Sequence, residues 1–207
     1  LWRRGIPELL QHYQSLRREY DQTIRDGQIP KENQLDDLLE LLNVLATYQT
    51  REGTDCVIEA ARAGLGGEDY QWYSILSSYS AEHPQAERLF AELSQPLPDA
   101  DSIAESLLDA ANAIAVEDEE FTHPFASPAG LIRLKKWLSS ADEMDLGKAY
   151  SAAAALAYIN LPGREVLLDV AAVHPDVSVR IEAAAAAVHA GLPVGLERLV
   201  EYCKDVH

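Results

Sequence analysis

Residues 150–155 and 181–186 are related by a shift of 31 positions. Tyr150-Ser151-Ala152-Ala153-Ala154-Ala155 lies over Ile181-Glu182-Ala183-Ala184-Ala185-Ala186. The register extends on both sides: Leu161-Pro162 lies over Leu192-Pro193, Leu168 over Leu199, and Asp145 over Asp176. A repeat this short is one pair of helices. Such a pair cannot hide its apolar face by itself, so successive pairs must stack. The alanines fit that requirement. A helix held between neighbours on both sides needs small side chains so that the backbones approach closely.

The rest of the chain carries the same helical period. Leu9, Tyr13, Leu16 and Tyr20 step by four, three and four residues, which places them on one stripe between Pro7 and Gly27. Leu35, Leu38, Leu39, Leu42 and Leu45 form a second apolar face after Asn33. Further helices are expected over about 54–61, 68–81, 83–95 and 101–116, and then over about 129–139, 146–159, 164–173, 177–190 and 194–204. The longest loop, 117–128, holds Pro124 and Pro128. β-Branched residues are sparse and no alternating run reaches five residues, so no strand is expected. The reading is all-α: an α-solenoid of about eleven helices in antiparallel pairs, forming one domain over 1–207. Its helices over 1–115 are degenerate and its regular repeats lie over 129–207.

His174-Pro175-Asp176-Val177-Ser178-Val179-Arg180-Ile181-Glu182-Ala183-Ala184 resembles the turn and second-helix start of HEAT repeats, whose pattern there is close to D-P-D-x-x-V-R-x-x-A-A. The resemblance covers residues 141–207. It implies a ladder in which the turn Asp and the helix Arg of successive repeats join, with Asp145, Asp176 and Arg180 in those places. Ala149 stands where the pattern has Arg, with Lys148 beside it. Upstream, the stretch from Leu45-Ala46 to Ala60-Ala61 echoes that from Leu156-Ala157 to Ala171-Ala172, without the Asp and Arg marks. Similar hairpins occur in armadillo and TPR arrays.

Charge narrows the function. Against 34 Asp and Glu there are 17 Lys and Arg, a formal net charge of −17. A phosphate backbone needs clustered cations, so nucleic acid is excluded as a partner. No stretch approaches the ~18 consecutive apolar residues of a membrane span. Cys56 and Cys203 are too few for a disulfide framework or a zinc site, which fits a reducing, cytoplasmic setting. The sequence opens on Leu1 rather than Met, and both ends are read as boundaries within a longer chain.

Motifs for chemistry are missing. His83, His123 and His174 each precede Pro, which pushes them out of helical geometry and into turns and caps. There is no His-Glu dipeptide, so the di-iron hydroxylase variant of HEAT proteins is excluded. Gly64-Leu65-Gly66-Gly67 lacks the Lys and Ser/Thr of a phosphate loop and reads as a helix stop. No Gly-x-Ser-x-Gly elbow is present, and Cys56 has no His at helical spacing. Neither a metal nor a cofactor is expected.

What remains is recognition. From Leu89 to Ile132 there is no Lys or Arg, while Glu117-Asp118-Glu119-Glu120 concentrates negative charge. That run is either a solvated face or a docking surface for a basic partner. Tyr70 and Tyr73 fall away from the Trp72, Ile75, Leu76 and Tyr79 stripe, near Ser77 and Ser80. They are either a contact pair or part of a wide buried arc. Trp2 and Trp137 are read as helix packers. The expected function is a non-catalytic scaffold presenting a curved helical surface to a protein partner, through Tyr70, Tyr73 and residues 117–120. An acidic inhibitor or immunity-type protein masking a basic target is the first alternative. An enzyme such as a lyase is the second: HEAT-like chains include bilin lyases and alkylated-base glycosylases, but the latter present a basic cleft that this chain lacks.

Overall fold

The computed structural model describes residues 5–31, 33–67, 70–80, 82–95 and 103–205, with side chains through Tyr202. Trp2 and the side chain of Cys203 lie outside them. Among the described residues there is no strand. Among these residues eleven α-helices run α1 Ile6–Arg25, α2 Gln34–Thr47, α3 Arg51–Arg62, α4 Gln71–Ser77, α5 Ala86–Leu93, α6 Ala104–Glu117, α7 Pro128–Leu138, α8 Leu146–Ala155, α9 Arg164–Ala171, α10 Val177–His189 and α11 Pro193–Asp205. None of them is long and apolar enough to cross a membrane.

Local chemistry sets these ends. Thr50 caps α3 by accepting the Gly53 N–H at 3.1 Å, and Ser127 caps α7 by accepting that of Gly130 at 3.0 Å. Asp176 caps α10 by accepting the Ser178 N–H at 2.7 Å. Two helices stop four residues before the ends that their periodicity predicts. α4 ends at Ser77 rather than continuing to 81, because Tyr79 turns inward and its hydroxyl donates to Thr54 Oγ1 at 3.1 Å. α8 ends at Ala155 rather than 159, where bonds from Leu156, Ala157 and Tyr158 back to Ala153, Ala154 and Ala155 tighten the last turn.

The single 1–207 domain expected from the sequence is resolved into two compact units, Leu1–Leu107 and Leu108–His207. The division falls inside α6 and not in the 117–128 loop. In the first unit α2 packs on α1, α3 and α4, and α3 packs on α5. Its core is bulky: Leu38, Leu39, Leu42, Trp72, Ile75 and Leu89 are fully buried. The Trp72 indole N–H donates to the Leu65 carbonyl at 2.7 Å, so this large ring is buried without an orphaned donor. In the second unit α7 packs on α8 and α9, α8 and α9 pack on α10, and α10 packs on α11. Its core mixes Phe125, Leu134 and Trp137 with alanines: Ala149, Ala152 and Ala153 on α8, and Ala183, Ala184 and Ala187 on α10.

The two units share three helix contacts. α2 meets α3 and α4 as α7 meets α8 and α9, and α3 meets α5 as α8 meets α10. The His-Pro turns fall into the same scheme. His83, between α4 and α5, reaches back with Nε2 to the Ala46 carbonyl near the end of α2, at 3.1 Å. His174, between α9 and α10, reaches the Ser140 carbonyl just beyond α7, at 2.9 Å. Each ring accepts a backbone N–H on Nδ1, from Gln85 at 3.0 Å and from Asp176 at 3.1 Å. With Nδ1 accepting, Nε2 carries the proton and donates, so one tautomer is fixed. The helix pairing is therefore α2 with α7 and α3 with α8. The register in which residues 45–61 echo 156–172 would pair α3 with α9 and is not the one the contacts follow.

The Asp–Arg ladder implied by the HEAT resemblance is not formed as expected. Arg180 donates to the His174 and Pro175 carbonyls, at 2.7 and 2.8 Å, and lies over the Tyr202 ring. Asp176 is occupied by the N–H and hydroxyl of Ser178. Asp145 accepts the Ser140 hydroxyl at 2.8 Å and sits 3.5 Å from Lys148 Nζ. Each residue closes its own turn, because carbonyls and hydroxyls lie nearer to it than the next repeat's charge.

Candidate functional site

Tyr70 is 83% exposed and Tyr73 44% exposed, so neither belongs to the core. Trp72, Ile75, Leu76 and Tyr79 are fully buried. The four acids lie elsewhere: Glu117 ends α6, and Glu119 and Glu120 are exposed beyond it. Asp118 is half-buried and accepts the Glu120 N–H at 3.0 Å, which forms a local turn. The tyrosines belong to the first unit and the acids to the second.

Cys56, His123 and Ser151 are committed to structure. Burial pushes the Cys56 thiol up to about 11, and nearby carboxylates add to the effect. The third His-Pro turn gives His123 the same form as the other two. Its Nδ1 accepts the Phe125 N–H at 3.3 Å, and its Nε2 donates to Asn112 Oδ1 at 3.1 Å. Burial alone drives its pKa down to about 3. Asn112 then donates to the Ser151 carbonyl at 3.0 Å, and the Ser151 hydroxyl donates to Asp109 at 2.6 Å. Burial raises the Asp109 carboxyl, partly offset by that hydroxyl. Ser151 is 2% exposed, so this hydroxyl ties α8 to α6 and is not presented to a substrate. Among the described residues no group of three or more His, Cys, Asp and Glu could hold a metal ion.

The same bonds tie α6 to α8, α8 packs on α10, and the outward positions of the three helices form a surface. The repeat register relates the outward residues of α8 to those of α10. Tyr150 lies over Ile181, Ala154 over Ala185, and Tyr158 over His189. Tyr150, Ile181 and Val188 are 43%, 36% and 42% exposed, and Val116 on α6 is 67% exposed. Ala113, Ala154 and Ala185 are half-buried between them. The Tyr150 hydroxyl faces the Glu182 carboxylate, which as acceptor and negative charge holds the phenol above its ordinary value. Burial, with Glu182 adding to it, raises Tyr158 too, and that ring meets His189 edge-on at 5.2 Å between centroids. An apolar, tyrosine-bearing strip thus runs across three helices, with Asp109, Glu117 and Glu182 on it.

In the first unit, an open groove of about 860 Å³ lies between the start of α1, the α2–α3 turn and Pro84. Ile6, Leu10, Tyr48 and Thr50 are among the residues lining it.

Sequence reasoning missed the strip. Alanine-rich runs announce close packing, but they do not say which flank stays open. The signal that could have found it was the pairing of Tyr150 with Ile181, two large residues at one register position in otherwise alanine segments. No protein-family model matches the chain, and comparisons with curated proteins and with solved structures also find no match.

Proposed function

We propose that the chain is a non-catalytic protein-binding module, built as a HEAT-like α-solenoid that offers one open side of its stacked helices to a protein partner. The observation that carries this reading is the repeated packing order. α2–α5 and α7–α10 share three helix contacts in the same order, and each set is tied by a His-Pro turn reaching the end of its first helix. Stacked helix pairs use one side of each helix for the next pair and leave another free, which suits an extended binding surface. The exposed aromatic and aliphatic residues of the second unit add area of the kind that interfaces use. Buried Cys56 and the doubly bonded imidazoles support binding over catalysis.

Panning the folded chain against a displayed library of protein fragments tests this. The expected result is enrichment of related segments that bind one to one with Kd near or below ~10 µM. Enrichment no greater than on an unrelated helical protein overturns it.

A further inference from the structure

We infer that the strip across α6, α8 and α10 is the docking surface and that its occupant is a cationic amphipathic peptide segment, Lys- or Arg-rich on one side and apolar on the other. This rests on the protein-binding reading above and names its surface and partner chemistry. Three observations converge.

The first is shape. Tyr150, Ile181 and Val188 stand out from a floor of Ala113, Ala154 and Ala185, so apolar side chains of an occupant can seat between ridges.

The second is the sign of the charge. The acids on these helices at or beside the strip are Asp109, Glu117 and Glu182, and the Lys and Arg of these helices are turned away from it. α6 has no Lys or Arg. Lys148 on α8 is buried beside Asp145. Arg180 on α10 is bonded to the carbonyls of its own turn and covers Tyr202.

The third is the contrast with the neighbouring layer. α7 exposes Lys135 and Lys136, and Arg198 of α11 pairs with Asp169 of α9 at 2.8 Å. Both signs occur there, whereas the strip carries one. A surface of single sign around an apolar centre selects an occupant of opposite sign. It repels nucleic acid and anionic lipid, and it repels the same strip on a second copy.

A fluorescein-labelled helical peptide of about 18 residues (~27 Å long) with Leu on one side and Lys on the other serves as the probe. Its controls are the same pattern with Glu for Lys, and a Lys/Ser peptide without an apolar side. Fluorescence anisotropy is expected to show binding of the Leu/Lys peptide alone. Its Kd should rise about tenfold between roughly 50 and roughly 300 mM NaCl. Ile181→Ser with Val188→Ser is expected to weaken binding about tenfold. Glu117→Lys with Glu182→Lys should do the same and flatten the salt dependence. Tyr70→Ser with Tyr73→Ser should stay within about twofold of the unaltered chain. Far-UV circular dichroism verifies folding, and Ile181→Ala replaces the Ser pair if that pair unfolds.

Equal binding of the Leu/Glu peptide overturns the proposal. So does Leu/Lys binding that the strip variants leave unmoved, or that only the tyrosine variants remove. A dimer in sedimentation that dissolves on Ile181→Ala also overturns it, by assigning the strip to self-association. If library panning succeeds while its partners ignore the strip variants, the binding module stands and this assignment alone fails.

Discussion

The two units make three corresponding helix contacts with different materials. Between α3 and α5 the packing is bulky, with Ile58, Leu89, Phe90 and Leu93 all buried, and the helices are bridged at the surface by Arg62 with Glu92 and Arg88 with Asp55. Between α8 and α10 the contact is methyl against methyl. Further along, Gly195 of α11 lies so close to α10 that a Cβ there would meet Val188 N at 2.5 Å, Ala184 O at 2.7 Å and Ala187 C at 2.9 Å. The difference teaches that the helix order and the histidine ties survive a change of filling. Bulky side chains with ion pairs, or small ones with touching backbones, reach the same arrangement.

Opposite kinds of substitution should therefore damage the two units. Gly195→Ala must force α11 off the α10 backbone, and a loss of about 3 kcal/mol is expected in urea unfolding. Leu89→Ala in the first unit should cost a similar ~3 kcal/mol by leaving a cavity. Hydrogen exchange should confine each effect to its own unit, and an effect spread evenly over both would break the comparison.

The histidine ties come next. His174→Ala orphans the Asp176 N–H and the Ser140 carbonyl, and His83→Ala orphans the Gln85 N–H and the Ala46 carbonyl. Each should cost about 2 kcal/mol. The His83 change should cost the more, because its ring also packs on Tyr79 at 4.1 Å between centroids. Equal costs would show that this ring contact contributes nothing.

A smaller effect follows from pH. His123 titrates at about 3 when folded and near its ordinary ~6.5 when unfolded, so only the unfolded chain takes up the proton as pH falls below ~6.5. Stability is lost across the window from ~6.5 down to about 3. Between pH 6.5 and 5 the His123 share is about 1.6 kcal/mol. His83, which burial also lowers, pulls in the same direction. Urea midpoints at those two pH values, compared with His123→Asn, isolate the share. An unchanged slope in the variant would assign it elsewhere.

The smallest effect belongs to the surface ion pairs. Arg62, Glu92, Arg88 and Asp55 each keep at least 36% of their side-chain surface in water. A double-mutant cycle on either pair should return no more than ~1 kcal/mol.

This contrast explains how much was legible. Helical period is a local property, so the all-α class and the helix order could be read from stripes such as Leu38, Leu42 and Leu45. The repeat was visible only where alanine is obligatory, because a core of Leu, Ile and Phe accepts many arrangements of similar residues and keeps no register. The His-Pro turns were visible as turns. Their reach was not, since Ala46 and Ser140 lie 37 and 34 residues back in the chain. The outward strip needed both neighbours of α8 to be known. Glu182 faces Tyr150 only because α10 lies alongside α8, and Asp109 meets Ser151 only because α6 does.

A joint made of methyl groups and main chain has no spare volume. At Ala152, Ala153, Ala183 and Ala184, anything larger wedges the joint apart, so inherited change in this half of the molecule is funnelled to the outward positions. Those are Tyr150, Ile181, Glu182 and Val188. The residues freest to vary are thus the ones the proposed occupant would touch, and on that proposal the half that tolerates least alteration inside is the half whose choice of occupant would change most readily.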